Sequence, residues 1–212
     1  MADGIRRRTE VIDWPVTLVE GDIRLRPLRI RDGRAWRNVR ARNSEWLTPW
    51  DATLPPEGAF EGEAPPTFAS MVRRMNRDAR AGRMLPWAVE VDGVFRGQVT
   101  VGGLAMGSLR GGYIGYWIDQ DVAGRGIMTT AVAMACDYLI GECGLHRIEI
   151  NIRPENAASR RVVEKLGLRN EGIRESYLHI NGQWCDHVSY VLLAGDQPDG
   201  VLRRLRSQQL SQ

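Results

Sequence analysis

The stretch Gly115–Val132, GYWIDQDVAGRGIMTTAV, limits the fold more than any other part of the chain. It reads as a short apolar strand ending in Tyr116, Trp117 and Ile118, a polar break, a Gly124-Arg125-Gly126 turn, and an unbroken apolar helix. A helix with no polar face is a buried helix. The chain therefore places two glycines at the mouth of a buried helix, where a strand ends.

The flanking sequence supplies the layers. Asp22–Leu28 alternates apolar and polar residues, the pattern of a half-buried strand. A helix-like stretch begins at Asp32, runs through Trp36, Val39 and Trp46, and ends before Pro49. Residues 51–66 hold four prolines and little periodicity, which predicts a loop. Thr67 is placed to cap a second helix through Phe68, Met71, Val72 and Met75, stopping near Gly82. WAVEVDGVFRGQVTVGGL is two strands joined at Asp92-Gly93, a hairpin signal, and a third strand runs from Gly112 to Ile118. After the buried helix come the strand HRIEINI, the helix NAASRRVVEKLG closed by Gly167, and a last hairpin turning at Asn181-Gly182. The order is β-α-α-β-β-β-α-β-α-β-β. This is a mixed α/β fold, a mostly antiparallel twisted sheet with flanking helices, and neither a doubly wound parallel sheet nor an all-β barrel. The reading divides the chain into an N-terminal arm (1–21), a single domain (22–195) and a polar, frayed C-terminal tail (196–212).

Composition excludes several classes. No apolar run reaches the length of a membrane span, and the first residues, MADGIRRRTEVIDWPV, lack the apolar core of a secretory signal. The three cysteines, Cys136, Cys143 and Cys185, show no metal-like spacing, so free thiols in a cytoplasmic protein and no metal are expected.

A strand feeding a glycine turn and a helix N-terminus is a place to hold an anion. The first N–H groups of the helix lack internal partners, the helix dipole adds positive charge, and glycines let a phosphate approach the backbone. A Walker loop is excluded, because Gly126 is followed by Ile127-Met128 rather than Lys-Ser/Thr. A dinucleotide fingerprint is excluded, because Thr129 stands where a third glycine is needed. A plain tight turn ahead of a core helix remains the other reading of these residues.

The turn resembles the pyrophosphate-binding motif of the GNAT family of N-acetyltransferases, (Gln/Arg)-x-x-Gly-x-(Gly/Ala), with Gly124 and Gly126 at its glycine positions and Asp121 in place of the first residue. The element order is similar to that family's fold. Arg153–Gly172, RPENAASRRVVEKLGLRNEG, is similar to the Asn-x-x-Ser and Leu-Gly helix of the ribosomal-protein-alanine N-acetyltransferases. Tyr177–Val188, YLHINGQWCDHV, resembles the RimJ type within them. The resemblance covers roughly residues 22–195.

What the resemblance implies is acetyl transfer from acetyl-CoA. Backbone amides from Val122 to Ile127, with Met128 and Thr129 in the first helical turn, would grip the pyrophosphate, and Arg125 would add a charge, although a solvated side chain fits it as well. Trp117, Ile118 and Asp119 would contact the pantetheine through backbone groups, one of which would polarise the thioester carbonyl. Asn156 would touch the coenzyme, although its position also fits a simple N-cap. The Ser159 hydroxyl would lie near the sulfur. Val163 stands where some relatives have a tyrosine acid, which makes Ser159 the candidate acid. Asn151, counted among the coenzyme contacts, stands where some relatives have a glutamate base and cannot take a proton. Glu171, Tyr177, His179 and His187 are candidate ends of a proton relay, each with a structural reading beside it. Trp46, Trp50 and Trp184 would shape the acceptor groove, although core packing accounts for tryptophans as simply. Cys136 and Cys143 read as core residues, so direct transfer in a ternary complex is expected.

A lysine amine, with pKa about 10.4, is only roughly 0.04% neutral at pH 7, whereas an N-terminal α-amine near 7.7–8.0 is about 10–15% neutral. A site without a strong base therefore suits an N-terminus. The leading expectation is acetylation of the α-amine of a ribosomal protein that starts with alanine. The alternatives are a small amine, such as a polyamine or antibiotic, and a non-catalytic coenzyme A-binding or ribosome-docking module. The basic termini (Arg6, Arg7, Arg8 and Arg203, Arg204, Arg206) offer a weak rRNA contact, although solvation explains them as simply.

Overall fold

The computed structural model describes residues 12–55 and 66–210. The elements are β1 (Leu18–Glu20), β2 (Ile23–Pro27), α1 (Gly33–Arg42), α2 (Ser44–Leu47), α3 (Phe68–Arg80), β3 (Leu85–Val91), β4 (Val94–Ala105), β5 (Gly111–Ile118), α4 (Ile127–Asp137), β6 (Arg147–Ile152), α5 (Ala157–Leu166), β7 (Arg169–Ile180), β8 (Gln183–Leu193) and α6 (Val201–Leu210). They form one eight-stranded sheet in the order β1-β2-β3-β4-β5-β6-β8-β7. Every neighbouring pair is antiparallel except β5 with β6. The mixed, mostly antiparallel sheet read from the sequence is the fold observed.

Period-two alternation explains how the sheet is covered. On one face Leu25, Trp87, Val89, Val99, Val101, Ile148 and Ile150 pack against α4, which is buried from Ile127 to Met134 apart from Thr130. On the other face Leu28, Ala88 and Phe95 meet Val39 and Trp36 of α1 and Val72, Met71 and Met75 of α3. β3 lies between the two layers and is buried along its whole length. Thr67 does cap α3, accepting from the Ser70 N–H (3.2 Å), and Gly167 closes α5 at φ 68°. The first predicted helix is broken at Asn43, whose side chain turns inward to Asp119, so two helices stand where one was expected.

Both ends of the chain depart from their composition. Residues 12–20 pack down: Ile12 is buried, the Trp87 indole N–H donates to the Val16 carbonyl (3.1 Å), and the Tyr138 hydroxyl donates to that of Asp13 (2.8 Å). The expected frayed tail is corrected by α6. Asp137 caps this helix, accepting from the N–H groups of Val201 (2.7 Å) and Leu202 (3.1 Å), while Val201 and Leu205, one helical turn apart, are buried. The basic residues of the tail have partners within the chain: Arg204 donates to the Leu166 carbonyl (2.7 Å), Arg206 pairs with Glu20, and Arg203 lies 3.5 Å from Asp199. Arg6, Arg7 and Arg8 lie outside the described residues.

The feature that makes a site is a parting of the sheet. β5 pairs with β4 from Gly111 to Ile118, but its parallel pairing with β6 covers only Gly111–Tyr113 against Arg147–Glu149. Beyond Tyr113 the two strands diverge, and the backbone of residues 114–118 has no strand partner on that side. Buried backbone groups need partners, so this edge is built to receive something that can hydrogen-bond.

Candidate active site

A cavity of about 450 Å³ occupies the parting. One wall is the end of β5 (Gly115–Ile118), a second is the loop and first turn of α4 (Val122 to Thr129, Arg125 excepted), and a third is α5 with its cap (Asn156, Ser159, Val162, Lys165). A fourth comes from the opposite face of the sheet, with Gln98 and Thr100 of β4 and Trp46, Trp50 and Asp51 of the segment following α1. The cavity thus runs through the sheet from the α4–α5 side to the α1–α2 side.

The loop has the geometry its glycines imply. Gly124 and Gly126 have φ of 79° and 82°, and a Cβ on either would meet nothing within 4 Å. The protein's own packing does not demand glycine here; the left-handed backbone does, and the space is left open. Gly126 is the N-cap of α4 and supplies no side-chain bond, so the N–H groups of Ile127, Met128 and Thr129 have neither a helical nor a capping partner. Such a helix end suits an anion. The donor set and the unpartnered β5 edge fit a coenzyme with a pyrophosphate and an amide-bearing arm.

Asp119 holds the start of this loop in place. Its carboxylate is fully buried and accepts from Asn43 Nδ2 (2.9 Å), Arg96 Nη1 (3.0 Å) and Arg42 Nε (3.3 Å), with Arg42 Nη2 in close contact. Burial alone would raise its pKa, but hydrogen bonds from Arg42, Asn43 and Arg96 overcome that and hold the carboxyl below its ordinary value. The Asp119 N–H is occupied too, donating to the Arg96 carbonyl (2.7 Å). The expected backbone contact from Asp119 to a pantetheine is therefore corrected: the residue lies behind the wall, as an anchor.

On the α5 side, Asn156 Oδ1 accepts from the Ser159 N–H (3.0 Å), which is the plain N-cap, and both residues line the cavity. The Ser159 hydroxyl lies 2.8 Å from the Tyr116 hydroxyl, which reaches across from β5 and is also within 3.3 Å of the Ser159 carbonyl. Burial pushes the Tyr116 phenol well above its ordinary pKa, against the opposing pull of its bond with Ser159. Val163 is fully buried in the core and offers nothing to the cavity.

Other expected residues sit elsewhere. Arg125 is exposed and off the cavity wall. Asn151 is outside it as well, accepting from the Ser189 hydroxyl (2.6 Å). Glu171 and Tyr177 belong to β7, the sheet edge, with β6 and β8 between them and the parting. Glu171 is exposed and bonded to Arg147 (2.6 Å), which holds its carboxyl below the ordinary range. The Tyr177 ring lies under the Arg174 guanidinium (4.9 Å) and 5.7 Å from the His187 ring. His179 bonds the Thr53 hydroxyl (2.7 Å), and the Trp184 ring meets its ring edge-on at 5.6 Å. His187 faces the Cys185 carbonyl (3.0 Å), and burial lowers its pKa. The tip of the last hairpin clamps residues 51–53, through Thr53 N–H to His179 O and Asn181 N–H to Asp51 O. Cys136 and Cys143 are buried, and burial pushes the Cys143 thiol up to about 11, so neither is a ready nucleophile.

Among the cavity residues that the sequence did not single out are Tyr116, Asp51 and Lys165. Tyr116 reads in the sequence as part of the apolar strand, and the alternation Ile114-Tyr116-Ile118 puts it on the α4 face. Asp51 and Lys165 carry no local signal; only the fold brings them to one space. Asp51 pairs with Arg40, whose guanidinium covers the Trp117 ring (5.4 Å), and Arg153 covers Trp50 (5.6 Å).

The chain matches the acetyltransferase (GNAT) domain over residues 22–169. It belongs to the GNAT acetyltransferase family. As such it is an acetyl-CoA-dependent N-acetyltransferase. It is 30% identical to the [ribosomal protein uS5]-alanine N-acetyltransferase of Escherichia coli over 176 residues, 81% of this chain and 88% of that one. It is 42% identical to the probable N-acetyltransferase YjcK of Bacillus subtilis over 100 residues, which is 47% of this chain and 55% of YjcK. Among solved structures it superposes on Mycobacterium smegmatis RimJ in complex with CoA-disulfide with a TM-score of 0.84, at 36% identity, covering 92% of this chain and 96% of that one. Among the described residues, no group of side chains could hold a metal ion and no helix is long and apolar enough to cross a membrane.

Proposed function

We propose that this GNAT protein acetylates the N-terminal α-amine of a protein, with a ribosomal protein that starts with alanine as its substrate class. The observation that carries the reading is the sparse acidity of the cavity: Asp51 is the one carboxylate among its lining residues, and it is already paired with Arg40. A polyamine carries several positive charges and calls for several carboxylates. A lysine amine calls for a strong base, whereas an α-amine near pKa 7.7–8.0 has a useful neutral fraction at pH 7. The similarity to the uS5-alanine N-acetyltransferase over most of both chains supports the same choice.

In this reading the coenzyme supplies an acetyl thioester. The N–H groups of Ile127, Met128 and Thr129, with the Gly124–Gly126 backbone, hold its pyrophosphate. The unpartnered edge at Gly115–Ile118 holds its amide-bearing arm and presents an N–H to the carbonyl, where charge develops. Ser159 donates a proton toward the departing sulfur, and Tyr116, donating to the Ser159 oxygen, leaves the Ser159 O–H free to point into the cavity. Trp46 and Trp50 form the acceptor entrance, and a water or Asp51 takes the proton lost by the amine.

The test is thiol release with three acceptors: an alanine-starting peptide, the same peptide N-blocked with a free lysine, and spermine. Turnover with the free α-amine alone is expected. Comparable turnover with the blocked peptide or with spermine would overturn the assignment.

A further inference from the structure

We infer that the outward faces of α1 and α3 form a docking surface for the phosphate backbone of double-helical RNA. This goes beyond the identity of the acceptor and does not depend on it. The two helices cover the same face of the sheet and touch through Trp36 and Phe68, whose rings are 5.2 Å apart. Arg34 and Arg37 of α1, with Arg31 just before it, are exposed. So are Arg73, Arg74, Arg77 and Arg80, which share one outward arc of α3 about 10.5 Å long.

The charge is strongly one-sided. Segments 29–42 and 68–83 hold eleven arginines against two aspartates, a net charge of +9. The whole chain carries +3, which leaves −6 for everything else. Of the two aspartates, Asp32 is buried against Arg26, so Asp78 is the one acid these two segments leave outside the core. Asp78 bonds Arg83 (2.5 Å) and lies 4.0 Å from Arg77. Among the described residues, Arg31, Arg34, Arg37, Arg73, Arg74 and Arg80 have no ion pair. Other arginines are paired: Arg40 with Asp51 and Arg42 with Asp119 within the first segment, and beyond the two segments Arg96 with Asp119, Arg147 and Arg174 with Glu149, and Arg206 with Glu20. Like charges three and four apart weaken a helix, so the α3 row opposes the helix that carries it.

Arginine rather than lysine suits phosphate. Among the described residues of α1 and α3 no aromatic ring is exposed for stacking bases, since Trp36 and Phe68 are half-buried. Duplex RNA, read by its backbone and shape, is favoured over single strands, which need stacking platforms. α1 leads through Asn43 into α2, whose Trp46 and Leu47 line the cavity, so bound RNA would lie beside the acceptor entrance.

Fluorescence anisotropy of the full chain with a short RNA duplex, its single strand and poly-glutamate, across a salt series, tests this. The Arg73→Gln/Arg74→Gln/Arg77→Gln variant should bind the duplex about tenfold or more weakly near physiological salt, and its log-log salt slope should shrink by about 2–3. Its turnover of a free peptide should be unchanged, which shows that the variant is folded and separates this result from the acceptor assignment. Arg6→Gln/Arg7→Gln/Arg8→Gln should retain duplex binding. Absence of wild-type duplex binding, an unaltered triple variant, loss through the N-terminal arginines instead, or equal competition by single strand or poly-glutamate would each overturn the inference.

Discussion

Replacing Tyr116 by phenylalanine removes one oxygen and leaves the ring that packs on the core beside α4. What is lost is the 2.8 Å bond to the Ser159 hydroxyl. A neutral hydrogen bond is worth about 0.5–1.5 kcal/mol. If Tyr116 only orients Ser159, kcat should fall roughly two- to tenfold, since about 1.36 kcal/mol is a factor of ten. Ser159→Ala removes the proton donor itself and should cost about a hundredfold or more. Because the tyrosine acts through the serine, the double variant should be no slower than Ser159→Ala alone. The assay is thiol release from an alanine-starting peptide under saturating coenzyme, with KM for the coenzyme followed in parallel and expected to stay constant. Tyr116 stays protonated past the ordinary tyrosine pKa of about 10, because burial raises it. Wild-type kcat should therefore show no alkaline limb from this group up to that pH. An unchanged kcat in Tyr116→Phe, or losses that multiply in the double variant, would refute the coupling. A rise in kcat would refute the orientation, since it would mean that the phenol draws the Ser159 proton away from the cavity.

Gly126→Ala places a Cβ on a backbone at φ 82°, which should cost about 1 kcal/mol of stability in thermal unfolding. Calorimetry with acetyl-CoA should show a clear loss of affinity, and equal affinity would remove the loop from the binding site. Asp119→Asn breaks the buried cluster with Arg42 and Arg96 and should cost about 3 kcal/mol near neutral pH, read by chemical denaturation. The folded pKa of Asp119 is depressed, so its contribution is present above the unfolded value of about 3.9 and is lost as pH falls through the folded value. The gap between wild type and variant should narrow below about pH 4, and equal stability at pH 7 would show that the cluster is not an anchor.

Much of the fold was legible because local patterns carried it. Thr67, Asp92-Gly93, Asn156, Gly167 and Asn181-Gly182 are punctuation whose chemistry acts within a few residues, and each marks a boundary in the structure. α6 escaped because its apolar stripe is short, with Val201 and Leu205 buried and Leu202 packed beside them, and its cap, Asp137, lies far off in the chain. Asp119 escaped for a similar reason: a carboxylate next to a strand end reads as polar until Arg42, Asn43 and Arg96 converge on it.

The candidate site divides in the same way. Gly124, Gly126 and the apolar helix after them determine by themselves a left-handed turn and an uncapped helix end, because left-handed φ and uncapped N–H groups are properties of a short stretch of backbone. Which side chains face that end is a matter of tertiary distance. The parting of β5 from β6 brings the Tyr116 hydroxyl to Ser159, and the packing of the α1–α2 segment brings Asp51 into the same cavity. β7, which carries Glu171 and Tyr177, falls at the far sheet edge, because β8 lies between it and β6. Strand order, which no residue pattern encodes locally, decided which of the candidates meet.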